Sequence, residues 1–80
     1  MNEDPKPTRT LDCIGLLCPE PLYRTRQQLD QLADGEILEV LADDPAAEGD
    51  LTRLAKRTGS EIVRVDRDED QVRILIRKKG

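Results

Sequence analysis

Histidine is absent from this 80-residue chain, as are tryptophan and phenylalanine, and Tyr23 is its single aromatic residue. Without histidine no side chain has an unperturbed pKa near neutrality, so any nucleophile must be activated by its surroundings. Without large rings the core must be built from Leu, Ile, Val and Ala, in a domain near the lower size limit for unaided folding. No apolar run approaches the ~20 residues that cross a bilayer, and the polar start Met1-Asn2-Glu3-Asp4-Pro5-Lys6-Pro7 has no secretory apolar stretch. A cytoplasmic protein with no membrane partner is the expectation. A net charge of −4 argues against direct nucleic-acid binding, which rests on a basic surface. Charged residues make up 38% of the chain, yet the apolar ones are grouped and periodic, which argues against wholesale disorder. The two cysteines have neither the C-x-x-C spacing of a dithiol oxidoreductase nor a second pair for zinc, so no metal and no cofactor are expected.

Residues 1–7 read as a flexible tail and 8–80 as a single domain. Over 8–13 the alternation sets Leu11 and Cys13 on one face, against Thr10 and Asp12. A helix is expected over 19–33, with Leu22, Thr25, Leu29, Leu32 and Ala33 as its apolar stripe and Asp34-Gly35 as its stop. A central strand follows over 36–42. Asp44 and Pro45 then signal a second helix, which Gly49-Asp50 could interrupt and Gly59 ends. Two strands, 61–66 and 72–78, close the chain around the acidic turn Asp68-Glu69-Asp70. The order β-α-β-α-β-β predicts an α/β (α+β) two-layer sandwich, a four-stranded mixed sheet with two helices on one face. Ile37, Leu41, Ile62 and Leu75 then fall on the helix-free face.

The most informative stretch is Gly15-Leu16-Leu17-Cys18-Pro19-Glu20-Pro21. Proline suits the first helical position because its missing N–H would have no partner there. That places Cys18 at the N-cap, facing the positive end of the helix dipole, which favours thiolate over thiol. With Pro19 and Pro21 contributing no donor, the Glu20 amide is expected to reach the sulfur. The Glu20 carboxylate works against ionisation unless it points to solvent. Gly15, Pro19, Glu20 and Pro21 are thus the residues that support the cysteine turn, and Cys18 is the candidate nucleophile. Cys13, on the same strand face as Leu11, reads as a buried core residue.

Leu11-Asp12, Gly15-Leu16, Cys18-Pro19-x-Pro21, the Asp44/Asp50 segment and Gly59 together resemble the TusA/SirA family of small sulfur-carrier proteins, over nearly all of the chain from Leu11 to Lys78. The resemblance implies a βαβαββ two-layer fold and sulfurtransferase activity by persulfide relay. Cys18 would accept a sulfane sulfur from a donor such as a cysteine desulfurase and hand it to an acceptor protein. Family routes include tRNA thiolation, molybdenum-cofactor synthesis, sulfur oxidation and thiosulfate uptake.

Arg24 on the first helix, and Arg53, Lys56 and Arg57 on the second, form a basic surface expected to steer acidic partner proteins toward Cys18. Two other readings of the same chain stand beside the carrier. One is a non-catalytic regulatory or protein-binding module; the other is a thiol redox sensor using Cys13 and Cys18.

Overall fold

The two strand segments with the most unbroken aliphatic sequence, Ile37–Ala42 and Val72–Arg77, occupy the middle of a four-stranded sheet. The computed structural model describes residues 6–17 and 19–79; most of the expected 1–7 tail, and Cys18 itself, lie outside the described residues. The elements run β1 (Arg9–Cys13), α1 (Glu20–Gln31), β2 (Ile37–Ala42), α2 (Ala47–Thr58), β3 (Glu61–Arg67) and β4 (Val72–Arg77), the expected β-α-β-α-β-β order. The strands lie side by side as β1-β2-β4-β3. β1 pairs with β2 in parallel, and β4 runs antiparallel to both β2 and β3. β4 therefore fills the gap left by the β2-α2-β3 crossover, a split βαβ arrangement. The charge-rich strands RTLDC and EIVRVDR take the two edges, where charge discourages pairing with another chain.

One core joins both helices to one face of the sheet, which makes the two-layer sandwich. Leu38, Val40 and Ala42 of β2, Ile74 and Ile76 of β4 and Cys13 of β1 meet Leu29 of α1 and Leu51, Leu54 and Ala55 of α2. Burying a Val, Leu or Ile side chain contributes roughly 1.5–3 kcal/mol relative to exposure, so aliphatic packing suffices without rings. Ile62 corrects one expectation. A register shift between Ile62 and Arg64 inserts one residue into β3, and Ile62 and Val65 both pack against the core rather than on the helix-free face. A bulge changes the alternation because the side-chain period along a strand is two.

The helix-free face is closed by ion pairs rather than left apolar. Leu75 lies there yet is 0% exposed. Its cross-strand partners are Glu39 and Arg64, and its neighbours along β4 on that face are Arg73 and Arg77. Arg73 pairs with Glu39 and, at 2.9 Å, with Asp66; Arg64 also reaches Asp66, at 3.0 Å. Thr10 Oγ1 donates to Glu39 at 2.8 Å, and Arg77 pairs with Glu61 at 3.0 Å. Long side chains whose stems lie over an aliphatic residue while their heads stay solvated account for this roof.

The helix ends differ from expectation by a residue or two. α1 begins at Glu20 with Pro19 as N-cap and stops at Gln31. Ala33 is exposed, and its N–H donates to Glu36 Oε1 at 2.7 Å, so it leaves the apolar stripe. Ahead of α2, Asp44 accepts from the Ala46 amide at 3.0 Å through its carboxylate and from the Ala47 amide at 2.9 Å through its carbonyl. The helix then runs through Gly49 without a break to Gly59, whose left-handed φ of 77° allows the Ser60 amide to donate to Ala55 O at 2.8 Å.

Candidate functional site

β1 and β2 are parallel, so their C-terminal ends emerge together, and in open α/β sheets this edge is where sites form. The segment 14–17 leaves β1 at this edge and is held by local hydrogen bonds and by one from the end of β2. Gly15 has φ +84°, a conformation that L side chains rarely adopt, although a Cβ there would meet no atom of the described residues within 4 Å. The constraint is therefore conformational rather than steric. The Leu16 amide donates to Cys13 O at 3.1 Å, closing the turn across Ile14 and Gly15. Asp12 Oδ1 accepts from the Ile14 amide at 2.9 Å, and Asp43 Oδ1, reaching over from the end of β2, accepts from the Gly15 amide at 3.0 Å. Ionised acceptors make these bonds stronger than neutral ones.

The supporting residues take the following places. Pro19 is the N-cap, with no side-chain capping bond, and Pro21 lies buried in the first turn of α1. The Tyr23 amide donates to Pro19 O at 3.1 Å. The Glu20 amide donates to Leu17 O at 2.9 Å, so the donor expected to serve the sulfur is already engaged with backbone. The expected N-cap role of Cys18 is accordingly taken by Pro19, and the position of Cys18 lies outside the described residues. The Glu20 carboxylate is half exposed and pairs with Arg24 at 3.0 Å, which offsets its repulsion of a nearby anion. Leu17 is 72% exposed, and Pro19 is exposed as well.

Cys13 is the opposite case. It is 0% exposed within the core cluster. Burial pushes its thiol pKa up, Asp12 and Glu20 push the same way, and Arg24 opposes them. Its core reading agrees with the strand pattern.

Of the four basic residues expected to steer partners, Arg24 follows the loop in sequence, on the second turn of α1. α2 starts at the end of the sheet where β2 finishes. At about 1.5 Å per residue, Arg53 lies roughly 9 Å and Arg57 roughly 15 Å down its axis from Ala47. Arg53 pairs with Asp50 at 2.6 Å, while Lys56 and Arg57 are exposed in the last turn. Arg26 on α1 is exposed and makes no ion pair with a described residue.

The loop end of the sheet is acidic instead. A cleft of about 250 Å³ between the β2–α2 connection and the β3–β4 turn is lined by residues that include Asp43, Glu48, Asp68, Glu69 and Asp70. Arg67, its guanidinium paired with Glu48, is the basic residue there. Among the described residues no three His, Cys, Asp or Glu side chains gather as a metal site, and no helix is long and apolar enough to cross a membrane.

Asp43 is not singled out from the sequence, and Asp12 enters there through strand alternation and the family resemblance, not as an acceptor for the loop amides. Their signal is positional: each is an aspartate at the C-terminal end of a strand bordering the loop.

Comparison with known proteins agrees with this fold. The family model described as Sulfurtransferase TusA matches residues 9–78. A relative from Archaeoglobus fulgidus is 50% identical over 64 residues, covering 80% of this chain and 83% of its own length. One from Bacillus subtilis is 37% identical over 75 residues, covering 94% of this chain but 40% of its own, so there the chain corresponds to less than half of a longer protein. Both are named "Putative sulfur carrier protein". The crystal structure of a SirA-like protein from Desulfitobacterium hafniense superposes with a TM-score of 0.75 at 26% identity, covering 91% of this chain and 100% of that one.

Proposed function

The chain belongs to the Sulfurtransferase TusA family, and from that premise we propose that it is a sulfur carrier. Cys18 accepts a sulfane sulfur as a persulfide from a donor protein of the cysteine-desulfurase kind and passes it to an acceptor protein. The observation that carries this reading is the contrast between the two cysteine neighbourhoods. Cys13 is sealed in aliphatic packing. The residues on either side of Cys18, Leu17 and Pro19, are open to solvent on a segment anchored at Gly15 and Leu17.

In the loading step the Cys18 thiolate attacks the outer sulfur of the donor's Cys–S–SH group. An S–S bond forms on Cys18 as the donor's S–S bond breaks, and the donor departs as a thiolate that takes up a proton. The oxidation level moves with the sulfur, so no external oxidant or reductant is consumed. Delivery repeats the step on a cysteine of the acceptor. Because the Glu20 amide is engaged with Leu17, ionisation of Cys18 is left to the field at the start of α1, with Arg24 offsetting Glu20. The residues that support this chemistry are Gly15, Pro19, Glu20 and Pro21; the basic side chains Arg24, Arg53, Lys56 and Arg57 serve partner docking. Residues 8–80 act as one carrier domain in the reducing cytoplasm. The destinations implied by the family resemblance, tRNA thiolation among them, are reached through the acceptor. A redox couple of Cys13 and Cys18 is disfavoured, since Cys13 would have to leave the core with its thiol held protonated.

The test is intact mass after incubation with a cysteine desulfurase and cysteine, without reductant. Wild type and Cys13→Ser are expected to gain one sulfur atom and Cys18→Ser none. Addition to Cys18→Ser would reject the assignment. Loss of two hydrogens requiring both cysteines would favour the redox sensor, and a stable partner complex with no added sulfur the binding module.

A further inference from the structure

Among the described residues three large hydrophobic side chains are exposed: Ile14 at 41%, Leu17 at 72% and Tyr23 at 62%. All three lie within ten residues of chain and bracket Cys18, on a surface otherwise dominated by charge. Single exposed apolar residues are ordinary, but their confinement to one neighbourhood is not. Backbone bonds hold two of them to the same turn: Leu17 O accepts from Glu20, and Tyr23 donates to Pro19 O. Tyr23 also borders a shallow groove on α1 with Glu20, Arg24, Arg26, Gln27 and Asp30.

Their combined exposed apolar area is on the order of 300 Å². A stable dimer buries about 800 Å² on each partner, so a second copy of this chain is the wrong occupant. The size fits a short-lived encounter, which a carrier needs in order to leave with its cargo. Within the groove the Glu20 charge is met by Arg24, whereas Arg26 has no ion pair among the described residues.

Resting on the carrier reading, we infer that Leu17 and Tyr23, with Ile14 at the β1 end of the loop, form the apolar seat for the sulfur-donating protein. That donor presents an apolar surface around its persulfide and a carboxylate opposite Arg26. Leu17 and Tyr23 are anchors for the partner and do not set the chemistry of the sulfur.

The experiment compares two sulfur sources on the full chain: a persulfidated cysteine desulfurase and inorganic polysulfide. For the double variant Leu17→Ser/Tyr23→Ser, loading of Cys18 by the protein donor is expected to slow tenfold or more, an anchor-sized effect. Loading by polysulfide is expected to stay within about twofold, because exposed substitutions perturb the fold little. Leu17→Ser alone, with Arg26→Glu as the charge arm, keeps the test usable if the double variant does not fold. Equal slowing with both sources, or no slowing with the protein, overturns the inference. Wild type loaded by polysulfide but not by the desulfurase also overturns it, while the carrier reading survives. Wild type loaded by neither source rejects the carrier reading itself.

Discussion

Replacing Gly15 by alanine of either hand separates backbone conformation from packing at the cysteine loop. At φ +84° an L-residue pays the left-handed penalty, roughly 1–2 kcal/mol. Among the described residues nothing lies within 4 Å of the added Cβ, so no steric cost from them adds to it. For a domain of 60–100 residues about 1 kcal/mol moves the melting temperature by 4–8 °C, which gives an expected loss of roughly 5–15 °C for L-alanine. D-alanine prefers positive φ, keeps the loop as it is and narrows the unfolded ensemble, for an expected gain of about 0.4–1 kcal/mol. Cys18 supplies a ligation junction, so a synthetic 1–17 segment carrying either enantiomer can be joined to an expressed 18–80 segment. Urea unfolding at neutral pH reads stability, and the polysulfide loading rate reads the aim of the loop. Destabilisation of similar size by both enantiomers would refute the reasoning, because it would mean that space rather than φ is limiting. Stabilisation by L-alanine would refute it as well.

Three further outcomes follow from packing and charge. Leu75→Ala is expected to cost about 2–5 kcal/mol by chemical denaturation, as for a core leucine, although no helix covers it; a loss below about 1 kcal/mol would mean that the ion pairs leave it effectively exposed. Glu39 is held below the ordinary carboxylate pKa, chiefly by its hydrogen bond from Arg73. Its pairing therefore contributes stability that is complete above the unfolded value near 4.5 and is lost as pH falls through the lower folded value. Glu39→Gln should accordingly be less stable than wild type at pH 7, with the gap closing in acid; a gap constant with pH would refute this. Thr25 Oγ1 is buried without a hydrogen-bond partner among the described residues, so Thr25→Val, nearly the same shape, is expected to stabilise by about 1 kcal/mol, and a loss in thermal melts would reveal a partner.

What could be read from the chain alone was whatever depends on neighbours in sequence. Element order, the buried faces of β1 and β2, the glycine turns and the Cys18-Pro19-x-Pro21 start of a helix all follow from periodicity and from local backbone restrictions. The same local reasoning misplaced what is settled by distant partners. Cys18 was given the N-cap and the Glu20 amide, but Pro19 caps the helix and Leu17 takes that donor. Ile62 was assigned by simple alternation, which the irregularity in β3 overturns.

Other features existed only once the chain had closed. The insertion of β4 between β2 and β3 depends on which strand can bury both faces. Asp43 meets Gly15 across 28 residues because parallel strands end together. Leu75 is dry because Glu39, Arg64, Arg73 and Arg77 arrive from three strands. The basic end of α2 lies away from the loop because a helix has length as well as a face. Sequence fixes torsional preferences and apolar periods residue by residue, whereas pairing, roofing and distance are properties of segments brought together, and only the folded chain decides them.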